Sequence, residues 1–174
     1  VGVGHLGYHH ARVYTEILGA HLVGVVDVNE DRAVGTGEAL RVPFYGDLDT
    51  FLEREKPDAV SVVVPTSMHY EVARSLLMRG VHVLVEKPVT SRVDEAEELL
   101  RLAAQKNLLL QVGHIERFNS ATQYVSNIVH EPLVLQSRRL GPFSPRISDV
   151  GVVLDLMVHD IDIIVSTKNP SAIS

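Results

Sequence analysis

The sequence predicts an α/β fold built on a doubly wound parallel sheet, and three observations predict it. Short apolar, Val-rich runs alternate with amphipathic helical stretches from Val1 to Gly113, which is the texture of successive βαβ units. Several runs are apolar almost throughout rather than alternating, AVSVVV at Ala59–Val64 above all, as expected of strands covered by helices on both faces. A glycine-rich turn, Gly2-Val3-Gly4-His5-Leu6-Gly7, stands between a strand residue and a helix at the head of the series. In such sheets that position meets an anion, because free helix N–H groups and the helix dipole point at it.

Taken in order, His5–Leu18 reads as the first helix and Leu22–Asp27 (LVGVVD) as a buried strand. Asn29–Leu40 is a second helix with Asn29 as its N-cap. A short strand near Pro43–Tyr45 precedes an acidic helix at about Asp47–Glu55, and Pro57-Asp58 marks the turn into Ala59–Val64. Ser67–Met78 is helical, His82–Val85 is a strand, Ser91–Gln105 is a long amphipathic helix, and Leu108–Val112 closes the series as a strand. Crossovers between these parallel strands should be right-handed.

After Gly113 the texture changes. Arg117–Val129 reads as helix, Leu133–Arg139 as strand, Gly141–Asp149 as a Pro/Ser-rich loop and Val150–Val165 as a largely buried helix. The division expected is a dinucleotide-binding domain over 1–113 and the start of a second, α/β substrate and oligomerisation domain over 114–174, because so short a remainder is too small for a full domain. The ends agree. Val1 is not Met and already reads as strand, and the polar Lys168–Ser174 stops just past an apolar run. The sequence therefore predicts that chain is missing on both sides, and that any targeting segment lies outside it.

Composition excludes several classes. With 45% hydrophobic and 22% charged residues among 174, the chain can bury enough apolar surface to order itself. It holds no cysteine, which removes disulfide scaffolds, thiolate zinc, iron–sulfur clusters and a cysteine nucleophile together, and fits a reducing, cytoplasmic setting. A net charge of −6 argues against a nucleic-acid partner. No apolar run approaches the ~20 residues of a membrane span.

Four groups of residues carry chemistry. The glycine loop (Gly2, Gly4, His5, Leu6, Gly7) matches a dinucleotide cradle, and Asp27 ends the next strand about 20 residues on, where a carboxylate meets the adenosine ribose. A carboxylate there repels a 2′-phosphate, so NAD is favoured over NADP, with Arg32 five residues later as a partial offset. A glycine turn without ligand and a methyltransferase loop remain alternatives on this motif alone. Glu86-Lys87-Pro88 follows the strand His82–Val85 at the ligand edge, where Pro88 holds Lys87 extended; a surface Glu-Lys pair is the plainer reading. Asp155 and His159 lie four apart on one helix face, with Asp162 extending the stripe. An Asp accepting from one ring nitrogen would leave the other as a base, and a solvated polar edge is the plain alternative. Arg117 beside His114 is a candidate for a substrate-anion contact or a structural ion pair, and Arg138, Arg139 and Arg146 around the Pro/Ser loop are candidates for a phosphate or nucleotide-sugar site or a solvated basic loop. His9-His10 suggests a metal pair, but adjacent helix residues point about 100° apart and no carboxylate completes the set, so no metal is expected.

Taken together, GVGHLG, Asp27, VVVPTSMH, EKP, GHIERFN and DLMVHDID resemble, in order, the glucose–fructose oxidoreductase / inositol dehydrogenase / MocA-type (Gfo/Idh/MocA) family over essentially the whole chain. RRLGPFSPR with DVGVVLDLMVHDID looks like the branch acting on UDP-N-acetylglucosamine-type sugars. The resemblance implies a Rossmann domain followed by an open-sheet domain that is largely absent here. It implies an NAD(P)-dependent dehydrogenase of sugars, nucleotide sugars or polyols, homo-oligomeric at full length, of which this piece alone turns nothing over. Carried over by motif, Lys87, Asp155 and His159 form the catalytic set, and Thr66, His69, Glu86 and Lys87 lie near the cofactor. Lys87 and His159 would then point into one cleft beside the glycine loop. A non-catalytic NAD-binding sensor on the same fold is the alternative.

Overall fold

A computed structural model describes residues 1–129, 132, 134–140 and 151–168. They fall into two compact units, 1–112 and 113–174.

The first unit is the doubly wound domain. Its helices are α1 (His5–Glu16), α2 (Glu30–Leu40), α3 (Leu48–Glu55), α4 (Thr66–Met78) and α5 (Val93–Lys106). Its strands are β1 (Val25–Val26), β2 (Phe44–Tyr45), β3 (Ala59–Val62), β4 (His82–Val85) and β5 (Leu110–Val112). β1 pairs with β2 in parallel, and β4 lies parallel between β3 and β5, with Val62 opposite Val85 and Val85 opposite Val112. Residues 1–3 join the two sets. Gly2 N–H donates to Val26 O at 2.8 Å, Val63 N–H donates to Val1 O at 2.9 Å, and the Val1 amino group donates to Ser61 O at 2.7 Å. The spatial order is thus β2, β1, residues 1–3, β3, β4, β5. The chain winds one way from its first segment and then the other, and the reversal lies beside that segment, where such sheets bind ligands.

Local chemistry explains the boundaries. Asn29 caps α2 by accepting from Arg32 N–H at 3.0 Å, and Asp47 caps α3 by accepting from Thr50 N–H at 2.8 Å. Glu30 and Asp31 in the first turn of α2 suit the positive helix end. Apolar side chains leave the sheet on both faces. Val25 packs with Val3 and Ala11, while its neighbour Val26 joins Phe51, Val62, Leu76, Leu77, Val85 and Leu99 in the larger core. The ladders are shorter than the apolar runs. Leu22–Asp27 contributes only Val25–Val26 to a ladder.

The second unit holds a 3₁₀ turn (Ile115–Phe118), α6 (Ser120–Ile128), a π-helical turn (Val153–Met157) and α7 (Val158–Lys168). Two expectations are corrected here. Residues 134–139 form no strand; Leu133 lies outside the described residues. A strand needs a ladder partner for its N–H and C=O groups, and no second strand is described in this unit to supply one. The helix expected at Val150–Val165 is formed from Val152 on, but it is not largely buried: Val152, Met157, Ile161 and Val165 are 63%, 46%, 46% and 50% exposed. The 3₁₀ turn and α6 cover only part of its circumference. Val150 and the loop Gly141–Asp149 lie outside the described residues.

Candidate active site

Steric closure builds the glycine loop at both ends and opens it in the middle. Gly2 has φ +78°, and a Cβ on it would stand 2.5 Å from Val63 O, so only glycine fits. A Cβ on Gly7 would stand 1.8 Å from Gly2 O, so the loop is folded onto its own start. Gly4 is different. The nearest atom to a Cβ there is Arg32 Nη1, 3.8 Å away. Gly4 is the N-cap of α1, no side chain caps that turn, and no acid occupies it. Three first-turn N–H groups therefore face open ground in front of Gly4. A side chain would fill that ground, and an approaching diphosphate fits it.

Asp27 braces this loop from the end of β1. Its carboxylate is 7% exposed. Oδ2 accepts from Val3 N–H at 2.8 Å and Oδ1 accepts from Asn29 N–H at 2.9 Å, so one side chain fixes both the loop and the start of α2. Each oxygen keeps a further lone pair for a hydroxyl donor. Arg32, exposed on α2, carries its guanidinium over Gly4.

The second cluster stands where β3 and β4 end. All strands run parallel, and residues 1–3 lie between β1 and β3. The glycine loop, Asp27, Thr66 and the Glu86-Lys87-Pro88 turn therefore leave the sheet on the same, C-terminal edge. Thr66 opens α4 and is buried, as is His69 one turn later. Glu86 is 6% exposed and its N–H donates to Val62 O at 3.0 Å, which continues the ladder into the turn. Its carboxylate faces inward. Oε1 meets His10 Nε2 at 3.1 Å, and Oε2 accepts from Lys87 N–H at 3.2 Å. Lys87 is half-buried and its bond to Pro88 is cis.

His10 is the residue that sequence reasoning missed. His9 turns edge-on to His5, with ring centroids 5.0 Å apart, while His10 reaches Glu86. The signal was available. Gly7, Ala11 and Tyr14 mark the inner face of α1, and His10 lies one turn after Gly7 on that face.

The remaining candidates belong to the 113–174 unit. Asp155 sits in the π-helical turn and His159 in the first turn of α7, both half-buried. Arg117 is an ion-pair residue: Nε and Nη2 grip the Asp162 carboxylate at 2.7 and 2.5 Å, which raises the arginine's pKa. Asp162 is thereby engaged, with His114 Nδ1 at 3.8 Å. Arg139 pairs with Asp160 at 3.1 Å and approaches Glu116 at 3.5 Å. The same contact holds the Asp160 carboxyl below its ordinary 3.8. Arg138 is exposed, and Arg146 lies outside the described residues. Among the described residues no group of three or more His, Cys, Asp or Glu is arranged to hold a metal ion, and no helix is long and apolar enough to cross a membrane.

Residues 1–114, the stretch that builds the loop and the turn, match the Gfo/Idh/MocA oxidoreductase family, described as having an NAD-binding Rossmann fold. The chain belongs to that family. Its fold, the glycine loop and the resemblance in motif order agree with this, and NAD is the family's dinucleotide. Among curated Gfo/Idh/MocA relatives, UDP-N-acetylglucosamine 3-dehydrogenase of Acidithiobacillus ferrooxidans is 42% identical over 94% of this chain and 51% of its own. Its solved structure superposes with a TM-score of 0.88, at 41% identity, covering 96% of this chain and 54% of that one. A second relative, scyllo-inositol 2-dehydrogenase (NAD(+)) of Bacillus subtilis, is 28% identical over 94% of this chain and 51% of its own. The chain thus spans about half the length of these relatives.

Proposed function

We propose that the whole protein is an NAD-dependent dehydrogenase that oxidises a secondary alcohol of a nucleotide sugar, with UDP-N-acetylglucosamine-type sugars as the substrate class. The observation that carries this is the shared sheet edge. The open ground before Gly4 and the Glu86-Lys87-Pro88 turn leave the same side of one parallel sheet, so a cation stands on the edge where a dinucleotide would lie. The name of the 42% relative supports the substrate class.

The Gly4 face and the first-turn N–H groups of α1 would hold the diphosphate, and Asp27 the adenosine ribose. NAD, when bound, supplies the hydride acceptor. His159 takes the proton of the substrate hydroxyl, Asp155 orients and charge-supports it, and Lys87 steadies the developing alkoxide. Thr66 stands at the head of α4 as a further cofactor neighbour.

The test is a screen of the full-length protein with NAD against UDP-N-acetylglucosamine, inositols and free sugars, followed by NADH absorbance. Turnover of the nucleotide sugar and a loss of about 10²-fold or more in kcat for His159→Ala, with NAD affinity unchanged, are the expected results. Tight NAD binding with no turnover of any of them would favour a non-catalytic NAD-binding protein. A nearly silent His159→Ala would remove the proposed base.

A further inference from the structure

Two histidines bracket the turn that carries Lys87. His10 of α1 holds the Glu86 carboxylate. His69 of α4 stands on the other side and is only 1% exposed. Its Nδ1 lies 2.8 Å from Pro88 O, and its Nε2 lies 2.9 Å from Val64 O. Both partners are backbone carbonyls, which can only accept. Each contact is therefore a hydrogen bond when that ring nitrogen carries a proton. One bond is anchored just past β3 and the other on the residue after Lys87. The imidazole thus spans the gap between two neighbouring strand ends and ties the Lys87 turn to the end of β3.

We propose that His69 is a positioning residue for Lys87, acting through the Pro88 carbonyl. It touches neither substrate nor reacting atoms. It sets where the Glu86-Lys87-Pro88 backbone stands relative to the end of β3, and so where the Lys87 ammonium is delivered. The plain alternative is a buried histidine that only stabilises the fold. The geometry separates the two, because the ring's two bonds have different targets. Loss of the Val64 bond weakens the anchor, whereas loss of the Pro88 bond releases the catalytic turn. A displacement of 1 Å at a reacting group costs on the order of 10²-fold in rate.

The inference rests on the dehydrogenase reading above, and the experiment keeps the two failures apart. Asparagine places an amide donor near the Nδ1 position, and glutamine places one near Nε2. In the full-length protein, His69→Asn should keep the Pro88 bond and His69→Gln the Val64 bond. Expected is a kcat for His69→Gln at least about tenfold below that of His69→Asn, with KM for NAD alike in both and thermal midpoints lowered alike. Equal kcat values, or losses that simply follow the midpoints, would overturn the positioning role. Independently of turnover, the backbone amide resonances of Glu86 and Lys87 should move away from their wild-type positions in His69→Gln and stay near them in His69→Asn, and equal shifts in the two variants would overturn the Pro88 contact. If the wild type oxidises no sugar, the dehydrogenase reading fails while the amide shifts still decide whether His69 holds the turn.

Discussion

The glycine loop makes opposite demands at two positions three residues apart, and a pair of alanine substitutions separates them. At Gly7 the added methyl would stand 1.8 Å from Gly2 O. Ordinary contact begins near twice that distance, and the neighbour is backbone, so the loop itself must open. Overpacking of this kind costs about 1–3 kcal/mol, and rigid surroundings put it at the upper end. For a chain of this size each kcal/mol lowers the thermal midpoint by roughly 2–4 °C, so Gly7→Ala should lose about 6–12 °C. At Gly4 the methyl meets nothing nearer than Arg32 Nη1 at 3.8 Å, and φ is −64°, which alanine adopts freely. Only the N-cap preference is lost, at up to about 1 kcal/mol. The same methyl does occupy the ground proposed for the diphosphate, so Gly4→Ala should weaken NAD at least about tenfold, equivalent to about 1.4 kcal/mol. Differential scanning fluorimetry without cofactor and calorimetric titration of NAD read the two effects separately. A Gly4→Ala protein that binds NAD like wild type would refute the diphosphate reading of this loop. A Gly7→Ala protein of unchanged midpoint would refute the closure of Gly7 onto Gly2.

Three further outcomes are expected. The Asp27 carboxylate should make NAD bind at least tenfold more tightly than NADP in calorimetry; equal affinities would mean that Arg32, over Gly4, governs the pocket. Leu99 is fully buried in the larger core, so Leu99→Ala should cost about 2–5 kcal/mol in urea unfolding without changing NAD affinity in the residual folded protein. Arg139 lowers the Asp160 carboxyl in the folded state, so its stabilisation is complete above the ordinary 3.8 and disappears as pH falls through the lowered value. Arg139→Ala should therefore weaken the protein at pH 7 and leave it unchanged in strong acid, as read by denaturant midpoints across that range.

What the sequence makes legible is what short-range physics controls. Periodicity places β4 at His82–Val85, and it brings α4 and α5 within two residues of their ends, because runs such as HVLV have no amphipathic alternative. Capping chemistry does the same for α2, where Asn29 is legible as the N-cap and accepts from Arg32 N–H. Pairings between distant elements are not legible in this way. His10 and Glu86 stand 76 residues apart, and no local pattern names a partner, although a polar residue on the inner face of α1 announces that one exists. Asp27 is legible as a carboxylate at the strand end. Its bonds to Val3 and Asn29 are visible only once the loop is closed. Leu133–Arg139 fails for a related reason, since β-branched and apolar alternation describes a strand's surface but not the neighbour that a strand requires.

The Asp155/His159 spacing shows how a helical pattern can rest on incomplete geometry. Four residues argue for one face because an α-helix turns about 100° per residue, which carries the fourth residue roughly 40° past the first. Asp155 instead lies within the π-helical turn Val153–Met157, and His159 lies one residue into α7. A π turn closes its bonds over five residues and so rotates less at each step. Widened turns of this kind are rare and concentrate at functional positions, because they sacrifice regular backbone bonding and persist where a side chain's direction matters. No feature of VLDLM taken alone distinguishes a π turn from an α turn, since its residues are ordinary helix formers. The spacing is thus legible as a helical repeat, while the π turn that carries Asp155 depends on backbone bonding that only the folded helix reveals.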